Sequence, residues 1–438
     1  MRVFVLRCCD ALARTFAPRA FMLDRLISLL GLVAFIGMAW AISYKRRVFP
    51  WRAVLSGVVL QFLFALFILR TPVGLQLFEG ATAVVSRLND FAVEGAKMVF
   101  GPLADAAKLQ DVFHSGPIFA VLISATIIVI SALSALLYHW GVLQKVVAGM
   151  AWVMMRMMGT SGSESLAAAS NIFLGQTEAA LLIKPYLVKM TRSEMMALMV
   201  TGFSTIATGV MVIYATLPMM SAGHIVTASV LGAPAGLLMA KIILPETEES
   251  ETGRRHHFRT ERTAVNSLDA LCVGASEGVM LSLNILGMLL AFVAVLALLN
   301  ALLAWPQQLA GVAAPVTLQQ VIGCLNAPIA WLIGVPRQDC GFIGQILGER
   351  IVLNEFIGYI HLSDYAAAHP GALTPRSITL TSYALCGFAN FASIAIQIGG
   401  IGALCPERRT DLAQLGLRAM IGGLLACYMI AAVVGVIT

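Results

Sequence analysis

The sequence predicts an all-α polytopic membrane protein, with eight transmembrane helices plus two re-entrant helical hairpins in inverted repeats with broken helices. Composition is the first observation behind this prediction. Of the 438 residues, 59% are hydrophobic and only 12% are charged, against about 25% charged in soluble domains. The second observation is that several apolar stretches reach the roughly 20 residues that a spanning helix needs. The third is that glycine, serine, proline and polar residues interrupt two further long apolar segments.

Eight apolar stretches have the length of a spanning helix. They cover residues 26–44, 53–70, 118–139, 193–217, 224–244, 268–304, 378–403 and 412–437. Between the second and third stretches, residues 71–103 are also apolar but carry Arg87, Asp90, Glu94 and Lys97. A helix with one apolar and one charged face lies in the membrane interface, so we expect residues 71–103 to lie there.

Positive charges are concentrated in short loops at residues 45–52, 184–192, 254–262 and 408–409. Because cytoplasmic loops carry an excess of Lys and Arg, we place these loops in the cytoplasm. All four loops lie on the cytoplasmic side only if each hairpin returns to the side of the membrane from which it entered. Both chain termini then lie outside. The net charge of +6 is interpreted as a topology signal, and no nucleic acid is expected as a partner.

The two interrupted segments, residues 143–190 and 316–362, are interpreted as the hairpins. Each precedes a span that polar and small residues break, FSTIATGV at 203–210 and CGFANFAS at 386–393. An uninterrupted span follows in both cases. The loop charges give the two units opposite orientations, and inverted repeats with broken helices place substrate and ion sites near the bilayer midplane in many secondary transporters.

These segments divide the chain into two repeats and a scaffold. Because MLDRLISLLGLVAFIGMAWAI also reads as a natural beginning, the N-terminal segment 1–25 has two candidate starts, Met1 and Met22. The expected organisation is then as follows: 26–141, scaffold spans and interfacial helix; 142–245, first hairpin, broken span and following span; 246–267, cytoplasmic loop; 268–314, long scaffold span and external helix; 315–438, second hairpin, broken span and last span.

Sequence motifs of several other function classes are missing from the chain. It contains no GxSxG, Walker A or HExxH run, and no residues form an acid–base or nucleophile pair with an orienting third group. The scattered cysteines are interpreted as small buried hydrophobic residues. We therefore expect neither enzymatic activity nor a cofactor.

Two carboxylates in the interrupted segments need an explanation, because ionisable groups within the membrane are costly and usually face a cavity or a partner. Lys184 is six positions from Glu178, too far for a neighbour on the same helix face. Glu355 has Glu349 and Arg350 nearby, so a structural ion pair is an alternative there. We expect both carboxylates to face a binding cavity.

The residues around Glu178 indicate the kind of ligand. Gln176 supplies an amide donor and acceptor that match the edge of a base, and the carboxylate of Glu178 accepts from two hydroxyls of a sugar. Thr177 adds a further polar group. On the second broken span, Asn390 and Ser393 add polar contacts, and Phe388 and Phe391 are either stacking faces or ordinary core residues. This set favours a neutral, polar, partly aromatic solute, because a strongly anionic one would need an arginine cluster.

Oxygen donors near the first break suggest a coupling ion. Asn171, Ser204, Thr205 and Thr208 are such donors, and unwound backbone adds free carbonyls. Serine and threonine in spans also serve as helix-packing groups, so both interpretations stay open.

Three motifs, GQTEAALLIKPYL, NEFIGYIHL and CGFANFASIAIQIGG, resemble those of the concentrative nucleoside transporter family, in its bacterial eight-span form. The resemblance extends from about residue 53 to residue 438. It implies a homotrimer in the bacterial inner (plasma) membrane, in contact with lipid. It also implies a scaffold and a moving transport domain that imports nucleosides by an elevator motion, driven by a sodium or proton gradient.

The resemblance also assigns the substrate contacts. It implies that Gln176, Thr177 and Glu178 contact the base and the ribose, and that Glu355 contacts the ribose. The residues that correspond to the other family contacts are Val210, Phe388, Asn390 and Ser393.

The sodium site implied by the resemblance comprises Asn171, the carbonyl of Leu174, Thr205 and Ile206. A serine ligand usually follows in a Gly-Ser-Val run, but this chain has Gly209 at that position. Thr208, or backbone and water, would then complete the shell. We expect Na⁺ as the coupling ion, with H⁺ as the alternative, and an uncoupled facilitator, a membrane-embedded enzyme or a nucleoside receptor as further alternatives.

Overall fold

The computed structural model describes residues 2–105, 118–251, 264–312 and 315–438. Every regular element in these ranges is a helix. The first half contains α1 Arg2–Ala41, α2 Trp51–Arg70, α3 Pro72–Phe100, α4 Phe119–His139, α5 Val142–Met158, α6 Gly162–Asn171, α7 Glu178–Leu182, α8 Lys184–Leu187, α9 Arg192–Phe203, α10 Thr208–Thr216 and α11 Ala222–Ile243. The second half contains α12 Ser267–Leu309, α13 Leu318–Ile333, α14 Cys340–Val352, α15 Glu355–Ala368, α16 Pro375–Leu385, α17 Phe391–Leu404 and α18 Arg409–Ile437.

Seven helical segments in the described ranges are long and apolar enough to cross a membrane. They are Met22–Ala41, Trp51–Arg70, Ala120–His139, Arg192–Ala215, Ala222–Ile243, Ser267–Gly287 and Pro406–Ile437. The remaining stretch expected to span, residues 378–403, consists of two shorter helices, α16 and α17. The expected interfacial segment 71–103 forms α3, which Thr71 caps by accepting a hydrogen bond from Gly74 N at 3.0 Å. The basic run at 254–262 lies outside the described residues.

Burial separates a central bundle from a peripheral layer. The apolar windows of Arg192–Ala215, Ala222–Ile243 and Pro406–Ile437 are 94%, 89% and 89% buried, whereas those of Ala120–His139 and Ser267–Gly287 are only 28% and 22% buried. The central bundle therefore consists of α9, α10, α11 and α18, and α4 and α12 lie outside it.

The peripheral helices pack in two groups. The first group is α3, α4 and α12, in which α12 approaches α4 closely because Gly274 and Gly278 face its backbone. The second group is α1 and α2, which the sequence assigned to the scaffold. In the structure, α1 packs on α18 through the Phe35 and Tyr428 rings, whose centroids are 5.9 Å apart, and α2 packs against α11 and α18.

Both interrupted segments fold as short helices joined by turns. In the first, Ser161 and Glu164 form a capping box that begins α6, and the chain is unwound from 172 to 177 before α7. Glu164 also forms a buried ion pair with Lys241 of α11, at 2.6 Å, which fixes the start of α6 to the central bundle. In the second, α14 and α15 are separated only by Leu353 and Asn354.

The two broken spans touch at their breaks. The first is unwound at residues 204–207, between α9 and α10, and the second at residues 386–390, between α16 and α17. Gly387 lies in the second break with φ +151°, and a Cβ there would be 2.6 Å from Phe203 O and 2.7 Å from Cys427 Sγ. Only glycine fits both this conformation and this contact between the two breaks.

Gly387→Ala should therefore destabilise the protein by about 1–3 kcal/mol, the usual cost of overpacking a core. Thermal unfolding of the purified protein in detergent measures this as a lower apparent melting temperature. Gly399→Ala in α17 is the matched control, because no atom lies within 4 Å of its added Cβ. Equal melting temperatures for the two variants would contradict the assignment of strain and close contact to Gly387.

Candidate functional site

A cavity of about 750 Å³ lies where the two hairpin tips meet the two broken spans and α12. All the residues proposed as substrate contacts from the sequence line this one cavity: Gln176, Thr177, Glu178, Val210, Glu355, Phe388, Asn390 and Ser393. These residues come from four separate elements of the chain. The fold therefore assembles the predicted set into one site.

The first hairpin tip is anchored to α17. Gln397 of α17 is fully buried, and its Nε2 donates to Gln176 Oε1 at 2.9 Å and to Met199 O at 3.1 Å. Gly400, one turn further on, leaves room for Thr177, whose Cγ2 would lie 2.3 Å from a Cβ at position 400. The orientation of the Gln176 amide thus depends on a residue in the other repeat.

Glu178 is half-buried and folds over the tip. Its Oε2 accepts a hydrogen bond from Thr177 Oγ1 at 3.0 Å, and the same oxygen would lie 2.1 Å from a Cβ at Gly175. A side chain at position 175 would displace the carboxylate, which explains the glycine before Gln-Thr-Glu. The half-buried Glu178 is left facing the cavity.

The second hairpin tip is held by charge-assisted hydrogen bonds. Glu355 is buried and accepts from Tyr214 Oη at 2.8 Å and from Asn390 Nδ2 at 3.0 Å. Asn390 Oδ1 in turn accepts from Ser393 N at 2.9 Å and caps α17. Glu355 and Arg350 do not form an ion pair, since no nitrogen of Arg350 lies within 4.0 Å of a carboxylate oxygen of Glu355. Glu355 thus links the second hairpin to both broken spans.

The two candidate stacking residues differ in position. Phe388 is half-buried and lines the cavity, next to the break. Phe391 is 51% exposed and lies outside the cavity lining. Of the two, only Phe388 is therefore in a position to stack on a ligand in the cavity.

Several cavity residues were not identified from the sequence. Tyr214 lines the cavity, and Gln397 orients Gln176 from behind the lining. The sequence indicated neither residue, because their partners are distant in the chain. Glu277 of α12 also lines the cavity, and as a carboxylate within a predicted span it had the same signal as Glu178. With Glu178 and Glu355, it gives the cavity three carboxylates, and no Lys or Arg lies among the described lining residues.

Asn171, at the end of α6 and next to the first tip, contacts the first broken span. Asn171 is fully buried, and its Nδ2 donates to Thr201 Oγ1 at 3.2 Å. Its Oδ1 is buried without a hydrogen-bond partner in the described part of the chain. Thr205 Oγ1 donates to Thr201 O at 2.8 Å. A buried amide oxygen without a donor is a suitable ligand for a cation such as Na⁺, which unwound backbone carbonyls also coordinate.

Thr208 connects the tip to the break. Its Oγ1 donates to Phe173 O at 2.6 Å, so the unwound residues Leu174 and Thr205 belong to adjoining segments. Gly209, the next residue, lies beside α4. The nearest atoms to a Cβ there would be in α4, with Ser131 Oγ at 3.7 Å and Ile127 O at 3.9 Å. A side chain at position 209 would thus make ordinary contacts with α4.

Family models match most of the chain. They are described as Na+ dependent nucleoside transporter N-terminus, over residues 30–103, nucleoside recognition, over residues 120–218, and Na+ dependent nucleoside transporter C-terminus, over residues 224–435.

Curated relatives extend over nearly the whole chain. An uncharacterized transporter of Haemophilus influenzae is 40% identical over 412 residues, 94% of this chain and 97% of that protein. Nucleoside permease NupC of Helicobacter pylori is 35% identical and covers 94% of this chain and 97% of its own. Sodium/nucleoside cotransporter 1 of Rattus norvegicus is 37% identical over 94% of this chain but only 64% of its own length.

Solved structures have the same fold. CNTnw in an inward-facing substrate-bound state has a TM-score of 0.87 and 34% identity, and covers 94% of this chain and 97% of that one. A variant of CNTnw in an outward-facing state has a TM-score of 0.88.

The helical fold and its polar cavity define a multi-pass membrane transporter, a class to which the curated relatives also belong. The chain belongs to the concentrative nucleoside transporter family and is a nucleoside transporter. This confirms the resemblance found in the sequence motifs.

Gln397→Met should weaken nucleoside binding about fivefold, because it removes a hydrogen bond worth about 1 kcal/mol that orients Gln176. The Michaelis constant for uridine uptake, or the dissociation constant of uridine from purified protein, measures the change. Gln345→Met is the control, since Gln345 donates to Glu349 at 3.1 Å and does not line the cavity. Indistinguishable constants for the two variants would show that Gln176 needs no such anchor.

Proposed function

We propose that this protein imports nucleosides across a bacterial inner membrane by symport with Na⁺, in an elevator-type cycle. The observation that carries the proposal is the adjacency of two sites at one hairpin tip. Gln176, Thr177 and Glu178 face the cavity, and Asn171, with its unpartnered buried oxygen, lies at the other end of the same unwound segment. A cation at Asn171 would hold the tip in the shape that binds the nucleoside, and this coupling makes the transport concentrative.

The proposed topology has eight spans and two re-entrant hairpins in inverted repeats, with both termini outside. The eighth span is supported by α16 and α17, which together with the break between them have the length of a spanning helix. The α9–α10 pair is interrupted in the same way. A helical segment that turns back inside the membrane leaves backbone groups unpaired, which is tolerated only where protein or a cavity covers them. Both tips meet this condition, since they lie at the cavity.

The proposed substrate contacts follow from the chemistry of the cavity. Gln176 would pair with the edge of the base, and Val210 and Phe388 would lie against its apolar faces. Glu178 and Glu355 would accept hydrogen bonds from the ribose hydroxyls, with Thr177, Asn390 and Ser393 as further polar contacts. Three carboxylates without a lining Lys or Arg favour a neutral nucleoside over a nucleotide, because a phosphate would need cationic partners.

The proposed Na⁺ ligands are Asn171 Oδ1, the carbonyls of Leu174 and Ile206, and Thr205. Thr208, bonded to Phe173 O, would hold the tip beside the break. It remains available to the ion through its lone pairs.

The moving parts and the assembly are also proposals. The hairpins and the broken spans would move together against a scaffold formed by residues 26–141 and 268–314, because Glu277 and its helix α12 form one wall of the cavity. Many apolar side chains of α12 are exposed, Leu290 and Leu309 among them. Such surfaces suit lipid and the subunit contacts of a homotrimer.

Uptake of labelled uridine into proteoliposomes, with Na⁺ and H⁺ gradients imposed separately, tests the function. An inward Na⁺ gradient should drive accumulation above equilibrium, and Glu178→Gln should abolish it. Glu251→Gln is the control, because Glu251 is exposed and pairs with Lys189 outside the cavity lining. Accumulation with the H⁺ gradient alone would show a proton symporter, and equilibration that ignores both gradients would show a facilitator. Binding without transport, or a chemically changed product, would overturn the proposal.

Asn171→Ala should raise the Na⁺ concentration for half-maximal uptake about tenfold, the effect of losing one charge-assisted contact. Uridine uptake measured over a range of Na⁺ concentrations, with choline as the replacement cation, gives this value. Asn326→Ala is the control, since its amide donates to Ile322 O within α13, at 3.0 Å. An unchanged Na⁺ dependence in Asn171→Ala would remove Asn171 from the ion site.

A further inference from the structure

Arg350, in α14 of the second hairpin, is a fully buried arginine that the substrate contacts do not use. Its guanidinium donates to Ala384 O, to Gly387 O at 3.2 Å and to Cys427 Sγ at 3.1 Å. None of the ion pairs found among the described residues includes it. A permanently charged group thus lies in the central bundle with neutral partners.

The partners of Arg350 belong to the second break. Ala384 is in the last turn of α16, where carbonyls lack partners within the helix, and Gly387 is in the unwound residues 386–390. Cys427 donates its own proton to Cys386 O at 3.0 Å. Because the bilayer offers no water to these carbonyls, Arg350 and Cys427 supply the donors that they require.

The position of Arg350 corresponds to the proposed ion site of the other repeat. Thr205, a proposed Na⁺ ligand, is the second residue after the end of α9. Gly387, which accepts from Arg350, is the second residue after the end of α16. Asn171 ends the first helix of its hairpin tip, and Arg350 lies in the last turn of the first helix of the other. In both repeats a polar residue at the end of the helix before the tip therefore contacts the broken span, Asn171 through Thr201 of α9 and Arg350 through Gly387 of the break.

The charge of Arg350 is what distinguishes it from a simple helix cap. A neutral amide side chain offers two donors, which would satisfy two carbonyls. Arg350 Nε is buried and has no hydrogen-bond partner in the described ranges, so the arginine does not use all its donors. Its positive charge, in contrast, offsets the buried carboxylate of Glu355, five residues away, in a medium where an uncompensated charge is costly.

We propose that Arg350 is a tethered cation that occupies, in the second repeat, the place that the coupling ion takes in the first. Each tip carboxylate then has one positive charge beside it. This charge is exchangeable near Glu178 and permanent near Glu355. The consequence is a coupling ratio of one cation per nucleoside, since the second repeat has no place for another. The inference rests on the cation-coupled transport proposed above.

The coupling ratio of the unaltered protein tests the inference directly. In proteoliposomes, the membrane potential at which uridine flux reverses, measured at fixed ion and uridine gradients, gives the number of charges moved per nucleoside. We expect one. A ratio of two would overturn the inference while leaving the proposed function intact. Uptake that neither a Na⁺ nor an H⁺ gradient drives would overturn the proposed function, and the inference with it.

Substitution of Arg350 separates charge from hydrogen bonding, because Arg350→Lys keeps the charge and Arg350→Gln keeps two donors. The lysine variant should retain the wild-type ion dependence. In the glutamine variant the Hill coefficient for the driving cation should rise from about 1 toward 2, the number of sites then available. Failure of the glutamine variant alone to fold also indicates that the charge is required. If neither variant folds, the coupling ratio of the unaltered protein decides.

Arg376→Gln is the matched control. Arg376 also donates to backbone carbonyls, Gly334 O at 3.0 Å and Gly435 O at 2.8 Å, but these lie outside both breaks. Its loss should leave the Hill coefficient and the coupling ratio unchanged. If Arg350→Gln matches the unaltered protein in folding, uptake and ion dependence, the position does not require a charge and the inference is overturned.

Discussion

The constraint on which this structure depends is the need to satisfy unwound backbone inside an apolar medium. A broken helix exposes carbonyls and N–H groups that the bilayer cannot hydrate, so each break needs polar partners from the protein. In the first break, Thr205 and Ser204 donate to Thr201 O at 2.8 and 3.3 Å. In the second, the donors come from other elements, Arg350 and Cys427. The breaks place polar groups at the centre of the molecule, and the cavity forms beside them.

Close packing of small residues makes this arrangement possible. Ser204 Oγ donates to Gly232 O at 3.0 Å because α11 has no side chains where it approaches the first break. A Cβ at Gly232 would lie 2.5 Å from Ser204 O, and a Cβ at Gly236 would lie 2.5 Å from Ser204 Oγ. Gly423 of α18 admits Phe203 in the same way. Interiors at this density respond to single added carbon atoms, so the positions of the hairpin tips are set by the packing around the breaks.

The sequence was informative about the site where a residue conflicted with its surroundings. Glu178 and Glu355 stood out because carboxylates are costly in apolar segments, and both line the cavity. Glu277 is likewise a carboxylate in an apolar predicted span, but it was not among the predicted site residues. For Phe388 and Phe391 the sequence left stacking and core packing open, and only Phe388 lines the cavity.

The sequence by itself determined the membrane class, the positions of the helical segments and breaks, and the family, because hydropathy, charge and motifs are local properties of the chain. The tertiary structure alone decided which groups orient the site. Gln397 holds Gln176 across 221 positions, and Tyr214 holds Glu355 across 141. Such pairs leave no periodic or compositional trace, because hydrogen bonds between distant segments arise only when the repeats pack against each other.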